Sequence, residues 1–113
     1  MLPAPNRLKK KLEIEAVFKK GRKLKEDFLI LIAAQNGLDR PRFGFVVSAK
    51  VSKKATLRNK LRRCLRELVR LRLKKIENGL DMILIAAPGL EAKDYWEIEG
   101  VINRLFQKAK ILK

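Results

Sequence analysis

The sequence predicts an α+β domain, a two-layer α/β sandwich in the order α-β-β-α-β-α, and three observations carry that prediction. Three apolar runs, "FLILIAA", "FGFVV" and "MILIAA", are too short for core helices and read as strands. The segments around them switch to helical spacing, most plainly in "TLRNKLRRCLREL". A length of 113 residues suits one packed core and not two, so residues 1–113 form a single domain.

Residues 1–10, with Pro3 and Pro5, read as an irregular, flexible basic arm carrying Arg7, Lys9 and Lys10. A short helix follows at residues 12–20, with Leu12, Ile14, Val17 and Phe18 on one side and Gly21 as its stop. Residues 22–25 read as a basic loop, and residues 27–34 as a strand covered on both faces, because the apolar run is unbroken. "QNGLDRPR", with its Asn-Gly and Pro41, joins that strand as a hairpin to a second one at residues 43–49. From Thr56 the period is helical. At about 100° per residue, Leu57, Leu61, Cys64, Leu65, Leu68 and Leu71 share one arc and Arg58, Arg62, Arg63, Arg66, Arg70 and Lys74 the opposite one. Gly79 closes this helix. The third strand, residues 81–87, is stopped by Pro88 and Gly89. Asp94 with Glu97 three residues on marks a helix start of the capping-box type. The last helix runs to about residue 110, with Ile98, Val101, Ile102, Leu105, Phe106 and Ala109 as its core stripe.

Charge narrows the function. Twenty-eight Lys and Arg against twelve Asp and Glu give a net charge of +16, far more than solubility requires, and the self-repulsion calls for a polyanionic partner. Nucleic acid is the first candidate and anionic lipid the second. The longest apolar runs are about a third of a membrane span, and the basic N-terminus lacks the apolar segment of a secretory signal. The single cysteine, Cys64, provides no disulfide framework and fits a reducing, cytoplasmic setting.

The chain has no histidine, so the usual general base and the commonest metal ligand are missing. Its acids are scattered over helix starts and solvent faces, and no glycine-rich phosphate loop follows a strand. The expectation is therefore a protein without catalytic or metal-binding residues of its own, and without a small-molecule substrate. The arginine face is different. Solvated helix faces mix signs, whereas this one has only Glu67 between Arg58 and Lys75, and like charges four residues apart repel by a few tenths of a kcal/mol (about 0.2–0.5) per pair. The row from Arg58 to Lys74 is about 24 Å long at about 1.5 Å per residue, enough to follow several phosphates. Arginine in preference to lysine suits bidentate phosphate contacts. A helix-turn-helix would need a second helix where "SAKVSKKA" stands, so RNA is favoured over DNA, with Phe18, Phe28, Phe43 and Phe45 as candidate stacking residues.

These residues also carry a family resemblance. "KVSKKATLRNKLRRCLRE", residues 50–67, resembles the RNR motif of the bacterial ribonuclease P protein family, in which Arg-Asn is followed by a basic residue, an aliphatic, two basics, two spacers and an Arg. "NRLKKKLEIEAVFKKGRK" looks like the family's N-terminal helix, "FGFVVSAK" like one of its strands, and "DMILIAAPGL" with "LFQKAK" like its C-terminal half. The resemblance implies a fold like a domain of ribosomal protein S5, with a left-handed βαβ crossover. It implies a catalytic RNA subunit as partner, precursor tRNA as substrate, and magnesium bound mainly by the RNA subunit and substrate. The holoenzyme is then an endoribonuclease that removes the 5′ leader of precursor tRNA, and the protein alone is inactive. Carried over by position, Lys50, Lys53, Lys54, Arg58, Asn59, Lys60, Arg62, Arg63 and Arg66 are the expected RNA-binding residues. A leader cleft between the first helix and the sheet is implied, with Ile14, Phe18 and Leu31 as its expected lining. Ile14 and Leu31 stand where other members often carry Phe and Tyr, and Ala87 where a basic residue commonly follows the third strand.

Overall fold

The structure, a computed structural model, describes residues 2–113; Met1 of the predicted arm lies outside the described residues. The chain runs α1 (Lys11–Lys20), β1 (Arg22–Glu26), β2 (Leu29–Gln35), β3 (Arg42–Val46), α2 (Ala55–Arg70), β4 (Leu80–Ala86) and α3 (Tyr95–Ala109). Short 3-10 turns lie at Ala4–Asn6, Leu73–Lys75 and Leu90–Ala92. The strands form one sheet in the order β1-β2-β4-β3. β2 pairs antiparallel with β1 and β4, and β3 pairs parallel with β4. A parallel pair needs a long crossover, and α2 supplies it. The fold is the predicted mixed α+β class, with one strand more than the sequence indicated.

That strand is β1, read above as a loop. Its five residues, "RKLKE", contain one apolar side chain, Leu24, which is too little to signal a strand. It forms because β2 offers a pairing edge one two-residue turn away, with Asp27 at φ 48. The hairpin predicted between β2 and β3 does not exist, since β4 lies between them. Asn36-Gly37 turns the chain away instead: the backbone N–H of Leu38 donates to Asn36 Oδ1 (2.8 Å), and Gly37 takes φ 69. β3 stops at Val46, after which Val47 turns into the core. α2 stops at Arg70 rather than near Gly79, and Leu71 is exposed. The chain must turn there so that Ile76 can enter the core and pair with Leu112.

α2 and α3 cover one face of the sheet. Leu61, Leu65, Leu68 and Val69 of α2 join all six predicted stripe residues of α3 over Leu29, Leu31, Ala33, Phe43, Met82 and Leu84. The capping box is present, with the Glu97 N–H donating to Asp94 Oδ1 (2.8 Å) and the Asp94 N–H to Glu97 Oε1 (3.2 Å). α1 lies on the opposite face, where Leu8, Val17, Ile32 and Ile83 form a smaller core. Its predicted apolar side is only partly used, because Leu12 is 79% and Phe18 49% exposed. Gly21 ends α1 at an ordinary φ of −75°, so left-handed geometry is not why it is glycine. A Cβ there would meet Ile32 Cγ2 at 2.4 Å and the Val17 carbonyl at 2.5 Å, so the residue permits close approach of helix to strand. The segment expected to be a flexible arm is packed: Leu2 and Leu8 are buried, Asn6 Nδ2 donates to the Pro41 carbonyl (2.8 Å), and Leu8 N–H donates to the Phe43 carbonyl (2.8 Å).

One partly buried ion cluster, centred on buried Asp81, fixes α1 to the sheet. Arg42 donates through Nε and Nη2 to the two oxygens of Asp81 (2.8 and 2.7 Å) and through Nη1 to Glu13 Oε2 (2.7 Å). Asn36 Nδ2 donates to the same Asp81 carboxylate (2.8 Å), so every partner of this buried acid is supplied locally.

Candidate nucleic-acid interface

The predicted basic residues come together on α2 and the loop before it. That loop is shaped from within. Val47 and Val51 are buried, while Ser48 Oγ accepts from the Lys50 N–H (3.3 Å) and Ser52 Oγ from the Lys54 N–H (3.2 Å). These turns leave Lys50, Lys53 and Lys54 exposed. Lys54 is the N-cap of α2, contributes no capping hydrogen bond, and no acid occupies the first turn. Lysines at the positive end of a helix, where the first N–H groups lack partners, oppose stability and favour an anion.

Along α2 the cations divide into two kinds. Arg58 and Arg62 are half-buried and hold the loop: Arg58 Nη1 donates to the Ser52 carbonyl and Arg62 Nη2 to the Val47 carbonyl, both at 3.0 Å. Arg62 Nη1 also donates to Asn59 Oδ1 (2.6 Å), so the Asn59 carbonyl is occupied by a neighbour on its own helix. Lys60, Arg63 and Arg66 have no side-chain hydrogen-bond or ion-pair partner among the described residues. Arg70 is different again, since it binds Glu67, which raises the Arg70 pKa and holds the Glu67 carboxyl below the usual range. Lys74 leaves the row because α2 has already ended. Burial pushes the Cys64 thiol pKa up, against a smaller opposing effect of Lys60, which keeps it a protonated packing residue.

The three expected cleft residues do not share one surface. Phe18 is exposed on α1 and Ile14 packs partly against the smaller core. Leu31 is fully buried on the other face, beneath α2 and α3, and cannot line a cleft next to α1. The residues of β2 that face α1 are Ile30 and Ile32, with Ile83 and Ile85 beside them on β4. Val46, more exposed, stands opposite Ile85 on β3, and Lys23 and Lys25 flank Ile32 and Ile30 on β1. The sequence hid this parity because an unbroken apolar run does not say which alternate residues face which layer. Among the described residues no group of three or more His, Cys, Asp or Glu could hold a metal ion, and no helix is long and apolar enough to cross a membrane.

Comparison with known proteins meets this geometry from outside. The family described as Ribonuclease P matches residues 2–110. The chain is 35% identical over 107 residues to the ribonuclease P protein component of Alkaliphilus metalliredigens, covering 95% of this chain and 96% of that one. It is 36% identical over 109 residues to that of Clostridium kluyveri, with the same two coverages of 95% and 96%. Among solved structures, the Staphylococcus aureus RNase P protein superposes with a TM-score of 0.88 at 27% identity, covering 96% of this chain and 98% of that one. The Thermotoga maritima RNase P protein superposes with a TM-score of 0.80 at 32% identity, covering 89% and 96%.

Proposed function

The chain belongs to the ribonuclease P protein family, and from that premise we propose that it binds the catalytic RNA subunit and the 5′ leader of precursor tRNA. The observation that carries this reading is the one-signed surface from Lys50 to Arg66, where Lys60, Arg63 and Arg66 have no protein partner among the described residues. Cations left unpaired on a folded surface are set for phosphates, and each phosphate neutralised releases counterions. Arg58 and Arg62 act by holding the lysine loop in place, while Lys50, Lys53, Lys54, Lys60, Arg63 and Arg66 meet the RNA. Phe18 and the α1 side of the sheet take the leader, with Ile30, Val46 and Ile85 in the place first given to Leu31.

In this reading the RNA subunit performs the hydrolysis and the protein alone is inactive. Magnesium, which in such chemistry activates water and stabilises the departing oxygen, is assigned mainly to RNA and substrate phosphates, as the family resemblance implies; among the described residues no group of three or more His, Cys, Asp or Glu could hold it. The protein acts in the cytoplasm by screening phosphate repulsion and by fixing the leader. The test is cleavage of a precursor tRNA by a bacterial ribonuclease P RNA at low magnesium, with and without this protein. Protein-dependent cleavage at the mature 5′ end is expected. RNA binding with unchanged cleavage across several such RNAs would favour an RNA-scaffold role instead.

A further inference from the structure

β3 is an edge strand, and the N-terminal segment covers only its first half. Leu8 N–H reaches the Phe43 carbonyl, and from Lys11 the chain has become α1. Beyond that bond a groove of about 330 Å³ opens between the N-terminal segment, β3 and α2, with Arg7, Lys9, Gly44, Phe45 and Arg66 in its lining and no acid among the described residues that line it. Backbone groups alternate sides along a strand, so the N–H of Phe45 points away from β4, as the Phe43 carbonyl does, toward this open edge. Arg7 Nε donates to the Leu2 carbonyl (2.7 Å), which fixes the guanidinium and leaves its two Nη groups for another acceptor. Lys9 and Arg66 have no side-chain hydrogen-bond or ion-pair partner among the described residues. The Phe45 ring is held by stacking on buried Phe43, with centroids 6.2 Å apart and planes 17° apart. The groove also lies where one surface passes into another: α2 is on one face of the sheet, the α1 side is on the other, and β3 is the rim between them.

The geometry points to a site for the sugar-phosphate backbone of single-stranded RNA in this groove, with Lys9, Arg66 and Arg7 around one phosphodiester and Phe45 against the adjoining nucleoside. It rests on the RNA-binding reading above and extends it to Arg7, Lys9 and Phe45, which make the arginine helix and the α1 side of the sheet one continuous track. Three donors of like sign without a carboxylate are suited to an anion, and a fixed aromatic ring beside them suits a base or ribose rather than a free ion.

The test is fluorescence anisotropy of a fluorescein-labelled single-stranded RNA of about ten nucleotides, a length within the usual site size, titrated with the full chain over a KCl series. Lys9→Ala and Arg66→Ala are each expected to weaken binding about threefold to tenfold at moderate salt and to flatten the salt slope by about 0.7. Because both hold the same phosphodiester, the double variant should lose less than the product of the two single losses. Wild-type binding together with no effect of Lys9→Ala, or with independent losses in the double variant, would overturn the groove while leaving the RNA-binding reading in place. Absence of salt-dependent RNA binding by the wild-type chain would overturn both.

Discussion

At the scale of single residues, Arg42 shows how a charge can be structural in a protein with many exposed cations. Its guanidinium sits between Asp81 and Glu13, and the hydrogen bond to Asp81 raises its pKa against the downward pull of burial, so it stays charged wherever the protein is folded. Arg42→Met would leave Asp81 buried with only Asn36 as donor, and is expected to cost about 3–5 kcal/mol in urea unfolding. A loss below about 1 kcal/mol, the value of an exposed pair, would show that water replaces the guanidinium easily. Nothing in "DRPRFGF" distinguishes this arginine from the surface ones, because its partners are 29 and 39 residues away in sequence. Leu31 teaches the same lesson from the apolar side. Its type fixed it as a strand residue, but only the layer above it decided that it is core and that its neighbour Ile30 looks toward α1.

At the scale of elements, α2 forgoes helix stability at its first turn, which the proposed RNA-binding role of Lys54 would account for. Its leucines were readable from period alone, and Leu61, Leu65 and Leu68 are buried as that period requires. Its N-cap is the position where local preference fails, since Lys54 supplies no oxygen to the free N–H groups and adds charge of the wrong sign for the helix dipole. Lys54→Asp is therefore expected to stabilise the protein by about 0.5–2 kcal/mol in thermal unfolding and to weaken RNA binding in the same sample. Stabilisation without loss of RNA affinity would remove Lys54 from the interface. β1 is the opposite case, an element formed by its neighbour's open edge more than by its own residues, and so invisible to a reading of "RKLKE".

For the molecule as a whole, the charge of +16 is unevenly neutralised. Glu13, Glu26, Asp27, Glu67, Asp81 and Glu99 are tied to arginines that join elements or stiffen α2, whereas Lys9, Lys60, Arg63 and Arg66 remain without partners among the described residues. Self-repulsion among such groups is screened once the Debye length falls to about 10 Å near 0.1 M salt. The melting temperature of the free protein is therefore expected to rise with KCl between about 0.01 and 0.1 M, measured by calorimetry. A flat or falling profile would mean that the ion pairs joining the elements outweigh the unpaired cations.

The sequence by itself determined the class of fold, the capped last helix with its six core residues, the division of α2 into a leucine arc and a basic arc, and the charge excess that calls for a polyanionic partner. These follow from periods and charges that each segment carries within itself. Only the tertiary structure decided that β4 enters between β2 and β3, that residues 2–10 pack along the β3 edge, and that Arg58 and Arg62 brace a loop while Arg66 faces a groove with Lys9. Strand neighbours, sheet faces and the partners of an arginine depend on contacts between residues far apart in the chain, and no local pattern records them.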